Sequence, residues 1–247
     1  MRLGRTLSDW KNNFVKLNAV KGWLLDVYPS YPNEMIVWII AENGERVRLV
    51  DKFVHRIYVS GNLSDLKDLA EKIEDDGFTF DLRFVEKYAD FMESSRKSVL
   101  EVDIGDYSRA SFFARKILEL GRCKKFRLCN VDIPVSQAYL YEKDVFPLAH
   151  VLVVDSGNRL SYEVIDSVES CEYTVPPFRS LWLNVSIKRE SGPLRFSDEI
   201  ENITLEFDDK TIVISDGIEA DKILGLVKIV KEVDPDLIFT HGGDSFL

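Results

Sequence analysis

Residues 55–133 carry an alternation of element types that few folds accommodate. "HRIYVSG" has the composition of a short strand, and "SDLKDLAEKIEDDG" places Leu66, Leu69 and Ile73 on one face of a helix. "FTFDLRFV" alternates apolar and polar residues, and "SVLEVDI" is another strand. "YSRASFFARKILELG" is a second helix, and "KFRLCNVDI" is a closing strand. The predicted order is β-α-β-β-α-β, which is the ferredoxin-like arrangement.

Residues at the ends and on the faces of these elements refine the prediction. Ser64 can cap the first helix, and Gly77 can end it. In the segment that follows, Phe78, Phe80 and Phe84 share one face of a strand. We interpret that face as core beneath the helices, the alternative being a surface that stacks nucleic-acid bases.

β-Hairpins are predicted on both sides of this unit. Upstream, "MIVWII" and "RVRLV" are joined by "AENGE", in which Asn43-Gly44 is a strong turn signal. Downstream, "VLVVD" and "SYEVID" meet at a Gly157-Asn158 turn. The ferredoxin-like unit is therefore expected inside a larger domain that is rich in β-structure.

A proline pair marks the predicted domain boundary. Pro176-Pro177 joins neither a sheet interior nor a helix. We therefore predict one domain at residues 1–175, with the ferredoxin-like unit at about 55–133, and a second domain at residues 176–247. The fold class is mixed α/β (α+β).

After the proline pair, the sequence predicts a shorter second pattern. "SLWLNVSIK", "NITLEF" and "TIVIS" read as strands, "EADKILGLVKIVKEV" as a helix and "DLIFT" as a last strand. The order β-β-β-α-β opens a ribonuclease-H-like fold. The helix residues expected to face inward are Ile223, Leu226, Val227 and Val230.

Charge constrains the partners of the chain. The 247 residues carry a net charge of −10, which argues against binding nucleic acid mainly through backbone electrostatics but permits a local basic patch. The densest basic region has two interpretations, which we favour equally. It is either a patch that contacts phosphates of a template strand or a solvated helix end. That region consists of Arg115, Lys116, Arg122, Lys124, Lys125 and Arg127.

Other compositional features exclude several classes. The three cysteines form no C-x-x-C pair, so we predict neither a disulfide framework nor a zinc site. The longest apolar run, Met35 to Ala41, falls far short of the roughly 20 residues that cross a bilayer. The first residues lack the apolar core of a signal peptide. We expect a cytoplasmic protein that does not contact a membrane.

Four segments in order resemble archaeal family B DNA polymerases. They are "GWLLDVYP", "NVDIPVSQAYLYEKDVFPL", "PPFRSLWLNVSIKRE" and "VDPDLIFTHGGDSFL". The second resembles the link between the N-terminal domain and the 3′-5′ exonuclease domain of that family. The last two resemble the first exonuclease strand and the second exonuclease motif. The resemblance implies an N-terminal polymerase domain followed by the first part of a ribonuclease-H-like exonuclease domain.

The resemblance also identifies the positions of the exonuclease site. In that family, carboxylates hold two divalent metal ions that activate water. Asn184 and Ser186 stand where the family has the Asp and Glu of the first strand. Gly242 and Leu247 stand at the Asn and the Asp of the second motif. The resemblance therefore implies an inactivated paralogue with no intact catalytic residue and no bound metal or cofactor, although Mg²⁺ serves the parent polymerase.

The expected function is template-DNA binding and scaffolding in replication or repair. The partners would be single-stranded or primer-template DNA and other replication proteins. One alternative is an active nuclease with displaced carboxylates at Glu206, Asp208 and Asp244; another is a protein-interaction module. Glu206 and Asp208 are expected to share one strand face, and Asp244 suits a turn. We favour the interpretation that all three are solvated or turn residues over a role as metal ligands. His241 is expected to be solvent-facing or packed.

Overall fold

The computed structural model describes most of the chain. The described residues are 19–30, 33–75, 81–88, 92, 94–157, 159–167, 169, 172–188, 195 and 198–241. The chain divides into two compact units, Met1–Pro176 and Pro177–Leu247. Both units are mixed α+β, and strands predominate in each.

The described residues form thirteen strands and four α-helices. In chain order they are β1 (Ala19–Ser30), β2 (Glu34–Ala41), β3 (Arg46–Lys52), β4 (His55–Ser60), α1 (Leu63–Asp75), β5 (Leu82–Lys87), β6 (Lys97–Ile104), α2 (Ala110–Leu120), β7 (Arg127–Cys129), α3 (Val135–Lys143), β8 (His150–Asp155), β9 (Leu160–Val164), β10 (Ser180–Ile187), β11 (Ile200–Phe207), β12 (Lys210–Ile214), α4 (Glu219–Val233) and β13 (Leu237–Thr240). No helix within these described stretches is long and apolar enough to cross a membrane.

A five-stranded antiparallel sheet forms one half of the first unit. Its order is β3-β2-β1-β8-β9, so β1 pairs both with the hairpin that follows it and with a strand from far along the chain. The predicted hairpin between β2 and β3 is confirmed, and Gly44 adopts a φ of 81°, which suits glycine. The hairpin between β8 and β9 is also confirmed. Gly157 has a φ of 80° there, and Asn158 lies outside the described residues.

Helix α3 packs against this five-stranded sheet and was not predicted. It lies within the segment that resembles an interdomain link, and its Tyr139 is fully buried in the core of the sheet. The helix spans only nine residues, and Val135, Ala138 and Leu140 are only partly buried against the core, so its amphipathic pattern is weak. Pro134 immediately precedes it, which is a common position for a proline before a helix.

The other half of the first unit has the predicted ferredoxin-like topology. The sheet order is β5-β6-β4-β7, and every neighbouring pair is antiparallel. Helices α1 and α2 cover one face, where Leu66, Leu69 and Phe113 pack against Ile57 and Val102. The predicted β-α-β-β-α-β order is therefore confirmed.

Two details of this unit differ from the prediction. The side chain of Asn62, and not that of Ser64, accepts a hydrogen bond at the start of α1, from the backbone N–H of Ser64 at 3.1 Å. Phe84 is 42% exposed, because β5 is an edge strand that the helices leave half covered. The core interpretation is therefore wrong for Phe84, while Gly77, Phe78 and Phe80 lie outside the described residues.

The second unit has the predicted β-β-β-α-β order. Its sheet order is β12-β11-β10-β13. The first three strands form an antiparallel meander, and β13 pairs in parallel with β10 after the chain passes through α4. This is the opening of a ribonuclease-H-like fold, as predicted.

The buried face of α4 is rotated from the predicted one. Leu226, Ile229 and Val230 pack against the sheet, whereas Ile223 and Val227 are 45% and 41% exposed. Lys222 lies on the buried side of the helix and is only 4% exposed. Its ammonium donates to the carbonyl oxygens of Ile200 and Glu201, each at 2.8 Å. The buried face of α4 therefore includes a lysine, which the spacing of apolar residues does not predict.

Candidate nucleic-acid interface

Strand β10 presents Asn184 and Ser186 on one face of the second sheet. Leu181 and Leu183 face α4 and the core, so strand alternation directs Asn184 and Ser186 to the opposite face. Asn184 lies opposite Thr204 on β11, and Ser186 lies opposite Asn202. The strand therefore places the two side chains about 7 Å apart on a common face, which is the geometry a metal pair would need.

The residues directly opposite Asn184 and Ser186 are neutral and polar. They carry the hydroxyl group of Thr204 and the amide of Asn202, and both are weaker ligands than carboxylates for hard divalent ions. Across the parts of the chain that the structure describes, no three His, Cys, Asp or Glu side chains come together to hold a metal ion. Gly242, Asp244 and Leu247 lie outside those parts.

Of the displaced carboxylates, Glu206 and Asp208 lie in different elements. Glu206 is exposed near the end of β11, opposite Trp182. Asp208 lies beyond the strand in a two-residue turn with Asp209, with φ values of 45° and 58°. The prediction that Glu206 and Asp208 share a strand face is therefore wrong, because the turn interrupts the alternation. His241 follows β13 and is exposed.

An aromatic pair lies on the same face as Asn184. The rings of Trp182 and Phe239 stack with centroids 4.8 Å apart and planes inclined by 24°. The parallel register of β10 and β13 pairs the two residues directly. They are 55% and 38% exposed. Strand alternation predicts from the sequence that Trp182, two positions before Asn184, lies on the same face. Its pairing with Phe239 depends on the strand register, which the sequence does not reveal.

The basic cluster lies at the C-terminal end of α2 and along the edge strand β7. Arg122 and Cys123 adopt consecutive left-handed conformations, with φ values of 53° and 56°, in the turn that joins these elements. Lys125 forms an ion pair with Asp65 at 2.5 Å. Lys116 is half-buried, and the other five members are exposed, namely Arg115, Arg122, Lys124, Lys125 and Arg127. Phosphate contact and compensation of the helix dipole both remain predictions for this cluster.

The face of the ferredoxin-like sheet opposite the helices carries a charged network. Arg56 Nε lies 3.1 Å from Asp103, and the guanidinium also bonds Glu142 of α3. Arg83 pairs with the buried carboxylate of Glu101, which raises the pKa of the Arg83 guanidinium. Burial raises the pKa of Asp103. Arginines thus neutralise both acids at the centre of this face.

Tyr58 lies beside that network on the central strand β4. Burial, together with the hydrogen bond from its hydroxyl to Glu101, raises the pKa of Tyr58 to about 12. The ammonium of Lys87 lies 5.4 Å from the centroid of the Tyr58 ring. Sequence reasoning missed Tyr58, because the alternation in "HRIYV" does not reveal which face the helices cover.

A second buried polar network stabilises the five-stranded sheet. Asp51 is fully buried and accepts hydrogen bonds from the Tyr139 hydroxyl at 2.7 Å and the Leu160 N–H at 3.0 Å. Lys143 Nζ lies 2.6 Å from the same carboxylate. The Tyr139 hydroxyl also lies 2.7 Å from that of Tyr162, and burial raises the pKa of both phenols. With its oxygens fully engaged, Asp51 joins β3, α3 and β9 and has a structural role.

The chain matches known proteins in structure but not in sequence. No protein-family profile matches the sequence, and no curated protein shows significant sequence similarity. Among solved structures, the chain is similar to the family B DNA polymerase from the hyperthermophilic archaeon Pyrobaculum calidifontis, with a TM-score of 0.71 and 24% identity. The match covers 92% of this chain and 31% of that polymerase. At this identity the similarity shows a shared fold.

Proposed function

We propose that the chain acts as the N-terminal, DNA-binding region of a family B DNA polymerase that lacks proofreading. The fold similarity to such a polymerase over 92% of the chain supports the family. The exonuclease-like face of β10 carries the rest of the proposal, because Asn184 and Ser186 hold the two positions where this chemistry requires carboxylates. Polymerisation itself would need Mg²⁺ and palm residues from outside this chain.

The proposed partner is template DNA that is single-stranded or part of a primer-template. Arg122, Lys124 and Arg127 are exposed and close in sequence at one edge of the ferredoxin-like sheet. Exposed cations of this kind contact phosphates and fix the register of a strand without reading its sequence. A net charge of −10 on the whole chain favours such a local patch over a broad basic surface.

A binding titration tests this proposal. We expect the 247-residue chain to bind a labelled single-stranded oligonucleotide at about 50 mM salt and to lose affinity steeply toward about 200 mM. Replacing Arg122, Lys124 and Arg127 together by alanine should reduce the salt slope by about two, since each single-strand contact contributes about 0.7. Replacing Lys210, Lys228 and Lys231 of the second unit is the charge-matched control. A flat titration of the unsubstituted chain contradicts the proposal.

A protein-interaction role is the second candidate. The second unit exposes large apolar side chains, of which Leu224 is 66%, Val213 is 57% and Trp182 is 55% exposed. Exposed apolar groups of this size are typical of surfaces that bind another protein. A flat DNA titration, together with binding to another replication protein, would favour this candidate.

A further inference from the structure

Helices α1 and α2 cover one face of the ferredoxin-like sheet, and Tyr58 lies on the opposite face, which α3 approaches where its Glu142 bonds Arg56. Ile57 and Val59 point into the core beneath α1 and α2, so alternation directs Tyr58 to the opposite face. The ring is half-buried, and its hydroxyl is held by the buried carboxylate of Glu101. A ring fixed at its polar end costs little conformational entropy when a planar ligand stacks on it.

Cations lie on both sides of this ring. Lys87 on β5 places its ammonium 5.4 Å from the ring centroid. On the other side, Cys129 of β7 lies opposite Tyr58, and two residues earlier Arg127 lies opposite Ser60. Strand alternation puts Arg127 on the same face as Tyr58. A strand of nucleic acid crossing the sheet from β7 to β5 would meet a cation, an aromatic ring and a second cation.

Each acid beside Tyr58 is paired with an arginine, which reduces its repulsion of an anionic ligand. Glu101 pairs with Arg83, and Asp103 and Glu142 pair with Arg56. The register also places Lys87 directly beside Lys97, which concentrates positive charge at one end of the face. The aromatic pair of the second unit is less suited to an anionic ligand. Glu206 lies opposite Trp182, and acidic residues outnumber basic ones in the second unit.

We propose that this face binds single-stranded DNA, with one base stacked on Tyr58 in the place now taken by the Lys87 ammonium. Lys87 and Arg127 contact the phosphates on either side of that base. Stacking on an aromatic ring accepts any base, so the site follows the strand without reading its sequence. The inference rests on the proposed DNA-binding function and gives it a specific binding residue.

Substitutions at Tyr58 separate stacking from charge. Tyr58→Leu removes the aromatic ring and should weaken binding of a labelled oligothymidine by about tenfold, measured by fluorescence anisotropy. The salt slope should stay unchanged, because no cation is lost. Tyr58→Phe retains the ring and most of the affinity. Circular dichroism and thermal melting of each variant establish that it is folded.

Charge substitutions provide the complementary result. Lys87→Ala should reduce the salt slope by about 0.7, the contribution of one single-strand phosphate contact. Lys67→Ala on the exposed side of α1 removes the same charge from the helix-covered side of the sheet and should leave both affinity and slope unchanged. If Tyr58→Leu is folded and binds like the unsubstituted chain, the stacking site is overturned.

The outcomes also distinguish this inference from the broader proposal. If the unsubstituted chain binds no DNA at about 50 mM salt, both fail. If it binds, and only the variants at Arg122 and Lys124 lose affinity while those at Tyr58 and Lys87 do not, the DNA-binding function stands and the site on the sheet is wrong.

Discussion

The indole of Trp182 stacks on the ring of Phe239 across the parallel strands β10 and β13, with centroids 4.8 Å apart. Aromatic pairs in this geometry are worth about 0.5–1.5 kcal/mol beyond the area they bury. We therefore expect that amount of coupling in a double-mutant cycle of Trp182→Leu and Phe239→Leu. Native-state hydrogen exchange of the β11 amides measures the free energy of opening in this unit.

A matched cycle controls that measurement. Val213 lies on the same sheet face as Trp182 but two strands away, on β12. A cycle of Trp182→Leu and Val213→Ala should be additive within about 0.5 kcal/mol. Additive effects of Trp182→Leu and Phe239→Leu would show that the stack contributes nothing of its own.

The Asp51–Lys143 ion pair should make a large contribution to the stability of the first unit. Asp51 is fully buried, and Lys143→Met leaves its carboxylate without a cation. Breaking a buried pair in this way costs about 3–5 kcal/mol. Urea denaturation followed by circular dichroism measures the loss. Asp68→Asn on the exposed side of α1 should change stability by no more than about 0.5 kcal/mol, and an equally small effect of Lys143→Met would contradict the prediction.

His55 should make the stability of the first unit depend on pH. It is 2% exposed, its Nδ1 has no hydrogen-bond partner among the described residues, and burial lowers its pKa below the ordinary value of 6.5. The unfolded chain therefore takes up a proton first as the pH falls below 6.5, and the free energy of unfolding decreases. The slope should approach about 1.4 kcal/mol per pH unit.

Two histidine variants check the source of that slope. His55→Phe should remove most of the decrease in the free energy of unfolding below pH 6.5. His241→Gln removes an exposed histidine of the second unit and should leave the decrease in place. A slope that persists in His55→Phe would assign the pH dependence to another group.

The chain should not trim DNA from its 3′ end. Asn184 and Ser186 supply no carboxylate on the exonuclease-like face, so labelled single-stranded DNA incubated with Mn²⁺ should keep its full length. Gel electrophoresis measures the length. Metal-dependent trimming that disappears in Glu206→Ala would establish the displaced-carboxylate nuclease instead, since Glu206 is the exposed carboxylate on that face.

The sequence predicts the order of elements well where local patterns are strong. Helix and strand periods in residues 55–133 depend on a few neighbouring side chains, and the structure has that order. The face of α4 was predicted only in part, since Leu226 and Val230 pack inward but Ile223 and Val227 do not. Apolar spacing alone does not reveal that Lys222 reaches two carbonyl oxygens from a buried position. Helix α3 was missed because Tyr139 inserts into a core assembled from distant strands.

The candidate sites depend more on tertiary pairing. Strand alternation alone predicts that Asn184 and Ser186 share a face, and the structure has that arrangement. The stack of Trp182 on Phe239 requires the register of a parallel ladder, and the exposure of Tyr58 requires knowing which face α1 and α2 cover. Neither relationship is encoded within a local window of the sequence.

The parallel pairing of β10 with β13 also has a kinetic consequence. At the start of this pairing, the backbone N–H of Arg179 donates to the Asp236 carboxylate at 2.8 Å, and the two residues are separated by 57 positions in the sequence. The β10–β11–β12 meander closes only short loops, so it can form before the entropy of that longer closure is overcome. We expect β13 to join last during folding and to complete this sheet.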